Sequence, residues 1–191
     1  MNGVLHNRIA FTAAAAAMWA GFFAWAGWLV VCEARYQQDY VGHVAKLGGM
    51  DEYRLGTVVN WKEKRKVIFF GWSLPEPDFR WSSGRQATIG IRLSETPDKS
   101  GLYSLRMRLA TTAGRQSIGA SVNGVALGTI VAAGPSELWI PIPGSALVKG
   151  PNRFVFQFPG AVRPGTGDVR ELAIALKDVT LLEGGPRTQI P

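Results

Sequence analysis

The feature that most constrains this chain is an uncharged run of 24 residues, from Ile9 to Cys32. As an α-helix rising about 1.5 Å per residue, the run would extend for about 36 Å, which exceeds a hydrocarbon core of about 30 Å. The apolar region of a cleaved signal peptide is usually about 7–15 residues long, so the length favours an uncleaved transmembrane helix. Because Ala24–Ala26 has the small-residue pattern of a cleavage site, a signal peptide stays open as the alternative.

The charges that flank the run predict its orientation. Arg8 and the terminal amine precede it without any acid, whereas the residues that follow it carry balanced charges. By the positive-inside rule, we expect residues 1–8 to be a cytoplasmic tail and residues 9–32 to be the transmembrane helix. In a bacterium, the remainder of the chain would then lie in the periplasm, attached to the inner membrane.

Small residues gather on one face of this predicted helix, and aromatic residues gather on the other. At about 100° per residue, the small-residue face includes Ala13, Ala17, Ala20, Gly21 and Ala24. Small residues allow another helix to approach closely, so this face predicts packing against a polytopic membrane protein or complex. An alanine-rich anchor without a partner explains the same composition, and both interpretations stay open.

Residues 33–66 are predicted to form a helical stalk and a basic linker. Apolar residues recur at helical spacing in the stalk, at Tyr36, Tyr40, Val44 and Leu47. The linker contains the densest basic run of the chain, Lys62–Lys66. A basic segment beside a bilayer favours anionic lipid headgroups or anionic polymers, and a solvated surface is the simpler explanation. Nucleic acid is not expected as a partner outside the cytoplasmic membrane.

From about Val67 the hydrophobic period changes to two. In the segment Leu102–Leu109, alternate apolar residues share one face while Arg106 and Arg108 point to the other, as in a half-buried strand. Asn123-Gly124 lies between two such runs and predicts a type I′ hairpin, because both central positions of that turn need a positive φ. Further strand candidates are Ala87–Leu93, Ser117–Val122, Val125–Val131, Leu138–Ile142, Arg153–Phe158 and Leu172–Leu182.

About eight short strands separated by turns rich in glycine and proline indicate the fold class. We expect an all-β antiparallel sandwich over residues 67–184, most simply a jelly roll of the galactose-binding-like kind, preceded by the one N-terminal transmembrane helix. Residues 185–191 would be a C-terminal tail.

The composition leaves few catalytic options. The chain has two histidines, His6 and His43, and one cysteine, Cys32. A disulfide within the chain is therefore impossible, a zinc site built from Cys and His is close to excluded, and no phosphate-binding glycine loop is present. Glu76 and Asp78 are two acids in one loop, as glycoside hydrolysis requires, but such acids are far more often solvated or bonded to turn amides. We expect no enzyme activity, no cofactor and no metal.

Two segments stand out from this background. Gly71–Ser82 is a proline-constrained loop, and Phe158–Ala161 is followed by Asp168–Leu176. In order and spacing they resemble the β-sandwich domains appended to bacterial membrane glycosyltransferases and related envelope-polysaccharide proteins. There a Gly-Trp-Ser-x-Pro-Glu…Arg-Trp-Ser segment opens the sandwich, and a Pro-x-Ala…Asp-x-Arg-x-Leu segment precedes its last strand. The resemblance covers roughly residues 67–182 without a transferase domain, so it implies a non-catalytic sandwich that contacts glycans outside the membrane.

The side chains of these segments suggest how a glycan would be bound. Aromatic faces stack on sugar rings, and an arginine beside a carboxylate offers directed hydrogen bonds to hydroxyl groups. The glycan-binding candidates are Trp72, Glu76, Arg80 and Trp81, joined by Asp168 and Arg170 if the ends of the sandwich meet. The alternative is structural: tryptophans that plug the sandwich, and ion pairs Glu76–Arg80 or Asp168–Arg170 that pin the loops.

Two function hypotheses follow. In the first, the chain is a membrane-anchored, non-catalytic accessory or binding subunit, associated with glycans in an envelope-polysaccharide system. In the second, it is a structural subunit of a multi-subunit inner-membrane complex for transport, secretion or photosynthesis, held there by its transmembrane helix.

Overall fold

The computed structural model describes residues 18–28, 44, 49–60, 67–165 and 167–185. The chain divides into two units, Met1–Tyr40 and Val41–Pro191. In the first unit, residues 18–28 are helical and almost all of their side chains are exposed. Within the described ranges, no helix combines the length and apolar character needed to cross a membrane.

Several predictions fall on residues outside the described ranges. On the predicted small-residue face, Ala20, Gly21 and Ala24 belong to the described helix, whereas Ala13 and Ala17 do not. Val44 is helical, and the rest of the predicted stalk lies outside the described residues. The same holds for both histidines, the cysteine and the basic run of the linker.

The second unit is a sandwich of two antiparallel sheets. Its strands are β1 (Val59–Asn60), β2 (Val67–Phe70), β3 (Arg80–Trp81), β4 (Gln86–Leu93), β5 (Leu102–Thr112), β6 (Arg115–Val122), β7 (Val125–Ala133), β8 (Ser136–Pro143), β9 (Gly150–Gln157) and β10 (Ile174–Glu183). The first sheet has the order β1-β10-β5-β8, and β3 also pairs with β10. The second sheet has the order β2-β4-β9-β6-β7.

The strand periods predicted from the sequence are confirmed. In β5, Leu105 and Met107 are fully buried while Arg106 and Arg108 lie on the opposite face. Asn123 and Gly124 have φ values of 51° and 85°, as the type I′ turn between β6 and β7 requires. Alternate residues of both sheets fill the space between them, and the two-sheet antiparallel sandwich predicted from the sequence is the observed architecture.

Three strands, β1, β2 and β3, and part of the core were missed. The strand β2 has only four residues. The strands β1 and β3 have two residues each, which is too short for a hydrophobic period, and both pair with β10. The core also includes Tyr53, which precedes the predicted start of the sandwich at residue 67 and is 1% exposed. Its hydroxyl accepts the N–H of Leu181 at 2.8 Å, so this segment is fastened to the middle of β10.

Candidate functional site

The loop from Gly71 to Ser82 folds back on itself. The Ser73 N–H donates to the Trp81 carbonyl oxygen at 2.7 Å, and the Trp81 N–H donates to Ser73 Oγ at 3.0 Å. At its start, Gly71 has a φ of 74°, and a Cβ there would lie 2.5 Å from the carbonyl oxygen of Gln86. Only glycine fits that position, because both the backbone conformation and the close approach exclude a side chain.

The end of the loop is fastened to the start of β10. Ser82 is fully buried, and its Oγ accepts the N–H groups of Ala173 and Ile174 at 3.1 Å each. The Gly84 N–H donates to the Glu171 carbonyl oxygen at 2.7 Å. The loop and the segment that holds Asp168 and Arg170 therefore meet, which was the condition for treating the six candidates as one site.

Trp72 belongs to the closing of the fold. Its ring packs against the hydrophobic core and stands edge-to-face to Phe69, with 6.1 Å between ring centroids. Its indole N–H donates to the carbonyl oxygen of Thr88 in β4 at 3.1 Å. Both the ring and its polar atom are thus used within the sandwich, as the structural alternative for this residue expects.

Trp81 faces the other way. Residues that are opposite each other on neighbouring strands point to the same face of a sheet. Arg80 is opposite the core residue Leu176 and therefore points inward. Its neighbour Trp81, which is opposite Ala175, points outward. The indole is partly exposed and stands edge-to-face to Phe79, with 6.1 Å between ring centroids. Its N–H has no hydrogen-bond partner among the described residues.

Arg80 lies on the inner side at the edge of the sandwich. Its guanidinium carbon is 4.7 Å from the centroid of the Phe69 ring, a cation–π contact. The Nε atom is buried without a hydrogen-bond partner, and burial lowers the pKa of Arg80. The ion pair with Glu76 considered from the sequence is absent, since no carboxylate of the described part lies within bonding distance of this guanidinium.

Asp168 and Arg170 form an ion pair with each other. Arg170 Nε donates to Asp168 Oδ1 at 2.9 Å, Nη2 donates to Oδ2 at 2.6 Å, and the Arg170 backbone N–H also donates to Oδ1 at 3.0 Å. These hydrogen bonds lower the pKa of Asp168 to about 2 and raise the pKa of Arg170. The negative charge of Glu76 adds to the rise for Arg170, so Glu76 is electrostatically coupled to Arg170.

A cleft of about 420 Å³ lies elsewhere and contains none of the six candidates. Its lining includes Tyr53, Tyr103, Asp98 and Glu183. The Tyr103 hydroxyl is already engaged, since it accepts the Asp98 N–H at 2.9 Å. Across the described residues, no three His, Cys, Asp or Glu side chains are grouped so that they could hold a metal ion.

No family model and no curated protein matches the chain. Similar solved structures include CBM35 from Paenibacillus barcinonensis, with 12% identity, a TM-score of 0.45, and coverage of 68% of this chain and 100% of that one. A family 35 carbohydrate binding module from Clostridium thermocellum has 12% identity and a TM-score of 0.44 over 67% of this chain and 98% of that one. The likeness is one of fold alone.

Proposed function

We propose that the sandwich is a non-catalytic glycan-binding module whose main contact is Trp81. The observation that carries the proposal is the placement of this ring. It points away from the core, is partly exposed, and keeps its N–H free for a ligand. Because β3 pairing and Phe79 fix the ring before binding, a sugar would stack on it at low entropic cost.

The other candidates divide into contacts and supports. Glu76, Asp168 and Arg170 are only partly buried, and their charged groups would bond to sugar hydroxyls beside the stacked ring. Trp72 and Arg80 lie on the inner side, so we assign them to positioning the loop. The proposed carbohydrate contact thus involves four of the six residues predicted from the sequence.

The proposal includes the setting predicted from the sequence. Residues 9–32 would anchor the chain in a bacterial inner membrane, with a galactose-binding-like jelly roll on the periplasmic side, accessory to an envelope-polysaccharide system. The uncharged run and the lone Arg8 before it support this orientation. We expect an external protease to digest the sandwich once the outer membrane is permeabilised. Protection until the inner membrane is breached would reverse the orientation.

A structural-subunit role is the second candidate, and one observation favours it. Ala20, Gly21 and Ala24 are exposed on the described helix, and a Cβ added at Gly21 would have no neighbour within 4 Å. A partner helix could therefore approach this face closely. Under this role, the full chain would co-purify with a membrane complex and Trp81 would have no ligand.

The decisive experiment compares Trp81→Ala with the parent chain in detergent, titrated with purified soluble envelope polysaccharides. We expect affinity to fall by about 1–2 kcal/mol, which is about 5- to 30-fold, because one stacking aromatic is lost. Leu74→Ala is the matched control, since Leu74 is 87% exposed in the same loop and contributes to no part of the site. A parent chain that binds no polysaccharide would refute the proposal.

A further inference from the structure

The outer face of the first sheet carries a second row of side chains, of which Trp139 and Arg106 are accessible to a glycan while Thr180 is buried beneath them. Cross-strand neighbours share a face, and one row across three strands is buried in the core: Ile140, Leu105 and Leu181. The adjacent row therefore points outward, and it consists of Trp139, Arg106 and Thr180. Trp81 points outward from this same sheet, beyond β10.

Trp139 is a fixed ring on the outer face of β8, the edge strand of the first sheet. It lies in β8, is partly exposed, and donates its indole N–H to Glu137 Oε1 at 2.8 Å. This hydrogen bond sets the orientation of the ring and engages one oxygen of the Glu137 carboxylate. A large ring on the solvent side of a strand adds nothing to the core, so its preorganised position points to a ligand.

Arg106 lies directly opposite Trp139 and lacks a carboxylate partner within the described residues. Its Nη2 donates to Thr180 Oγ1 at 3.1 Å, and its Nε is buried without a partner. The nearby carboxylate of Asp178 is taken by Arg108, which donates Nε to Oδ2 at 2.7 Å and also bonds through Nη2. The Nε is shielded from solvent, so an anionic group on a ligand would bind the Arg106 guanidinium through its terminal nitrogens.

The two aromatic contacts are too far apart for one sugar. In β5, the position opposite Ala175 and Trp81 is Thr111, five residues from Arg106, which corresponds to about 16 Å along the strand. From β3 to β8 there are three strand spacings, or about 14 Å. The separation is therefore about 20 Å, a distance that only a chain of sugars would span.

We propose that the ligand of the module is a linear, acidic polysaccharide that lies across the outer face of the first sheet. It would stack on Trp81 at one edge and on Trp139 at the other, with an anionic substituent on Arg106. This inference rests on the proposed function, because it takes the contact at Trp81 as given. It adds the class of polymer and the direction in which the chain runs.

The experiment uses the full chain in detergent and three linear acidic polymers, namely alginate, polygalacturonate and hyaluronan, each with its carboxyl-reduced, uncharged counterpart. For the acidic polymer that binds best, we expect Trp139→Ala and Arg106→Gln each to lower affinity about tenfold. We also expect the parent to prefer the acidic form over the reduced form, and Arg106→Gln to lose that preference. Disaccharides should not distinguish Trp139→Ala from the parent, because they cannot reach both rings.

The controls distinguish failure of this inference from failure of the proposed function. Val131→Ala removes a 50% exposed side chain on the edge strand of the other sheet and should change nothing, and melting temperatures verify that each variant folds. If Trp81→Ala weakens binding while Trp139→Ala and Arg106→Gln do not, the inference is wrong and the module stands. If the reduced polymers bind as well as the acidic ones, the acidic class is wrong. If no polymer binds, the inference is refuted, and the proposed function is refuted only if the titration with envelope polysaccharides also shows no binding.

Discussion

Trp72 and Trp81 lie in one loop and look equivalent in the sequence, yet they differ in the direction of the ring and in the hydrogen bonding of the indole N–H. Trp72 packs on the core and its N–H is bonded to the second sheet. Trp81 points away from the core, and among the described residues its ring contacts no aromatic ring but Phe79 and its N–H has no hydrogen-bond partner. A tryptophan whose ring packs on the core and whose N–H is bonded supports the fold, whereas one whose ring faces outward with an unbonded N–H is available to a ligand.

The cause of the difference is a strand of two residues. Arg80 and Trp81 alternate across β3, so that pairing with β10 sends Arg80 inward and Trp81 outward. The positive charge of Arg80 then rests on the Phe69 ring without a carboxylate. Trp72 contacts the same ring. The inner side of the loop is therefore a small aromatic and cationic cluster that closes the edge between the two sheets.

The largest expected effect is a loss of stability when Trp72 is replaced. Trp72→Ala should lower the free energy of unfolding by about 3–5 kcal/mol, as large-to-small substitutions against a core do. Trp81→Ala should lower it by about 1 kcal/mol or less, because its ring is outside the core. Urea unfolding of both variants at neutral pH makes the measurement. Equal losses for the two would mean that both rings support the fold.

A conservative variant refines this test. Trp72→Phe keeps an aromatic ring against the core but removes the donor to the Thr88 carbonyl oxygen. We expect it to recover most of the stability that Trp72→Ala loses, with a residual cost of about 1 kcal/mol for the hydrogen bond. No recovery would indicate that the shape of the indole, rather than its apolar area, closes the edge.

The strands β4 to β10 could be predicted from the sequence, because each of them is at least eight residues long and repeats its pattern. That period predicts that Arg106 and Arg108 in β5 point to solvent. The Asn123-Gly124 turn is predicted because both residues tolerate a positive φ. The Asp168–Arg170 ion pair could also be predicted from the sequence, because the two residues are only two positions apart. Local patterns of this kind survive folding unchanged.

The remaining features depend on register between distant strands. Trp139 meets Arg106 only because β8 pairs with β5 in one particular alignment, and Asp178 meets Arg108 across 70 positions. A two-residue strand such as β3 has no period that could show which side chain points inward. The Glu76–Arg80 ion pair that was one alternative from the sequence is absent for this reason, because the pairing of β3 with β10 turns Arg80 inward.

The smallest expected effect concerns the ion pair between Asp168 and Arg170. The pKa of Asp168 is lowered from 3.8 to about 2 in the folded chain, mainly by its hydrogen bonds to Arg170. A lowered pKa means that the pair stabilises the fold above the unfolded pKa and loses this contribution as the pH falls toward 2. Asp168→Asn should therefore be less stable than the parent at pH 7, and the stabilities of the two should converge between about pH 4 and pH 2.

Urea unfolding across this pH range measures the difference in stability. The control is Asp78→Asn, which removes an exposed carboxylate that belongs to no ion pair of the described residues. A difference that stays constant with pH would assign the effect of Asp168 to the shape of the loop rather than to its charge.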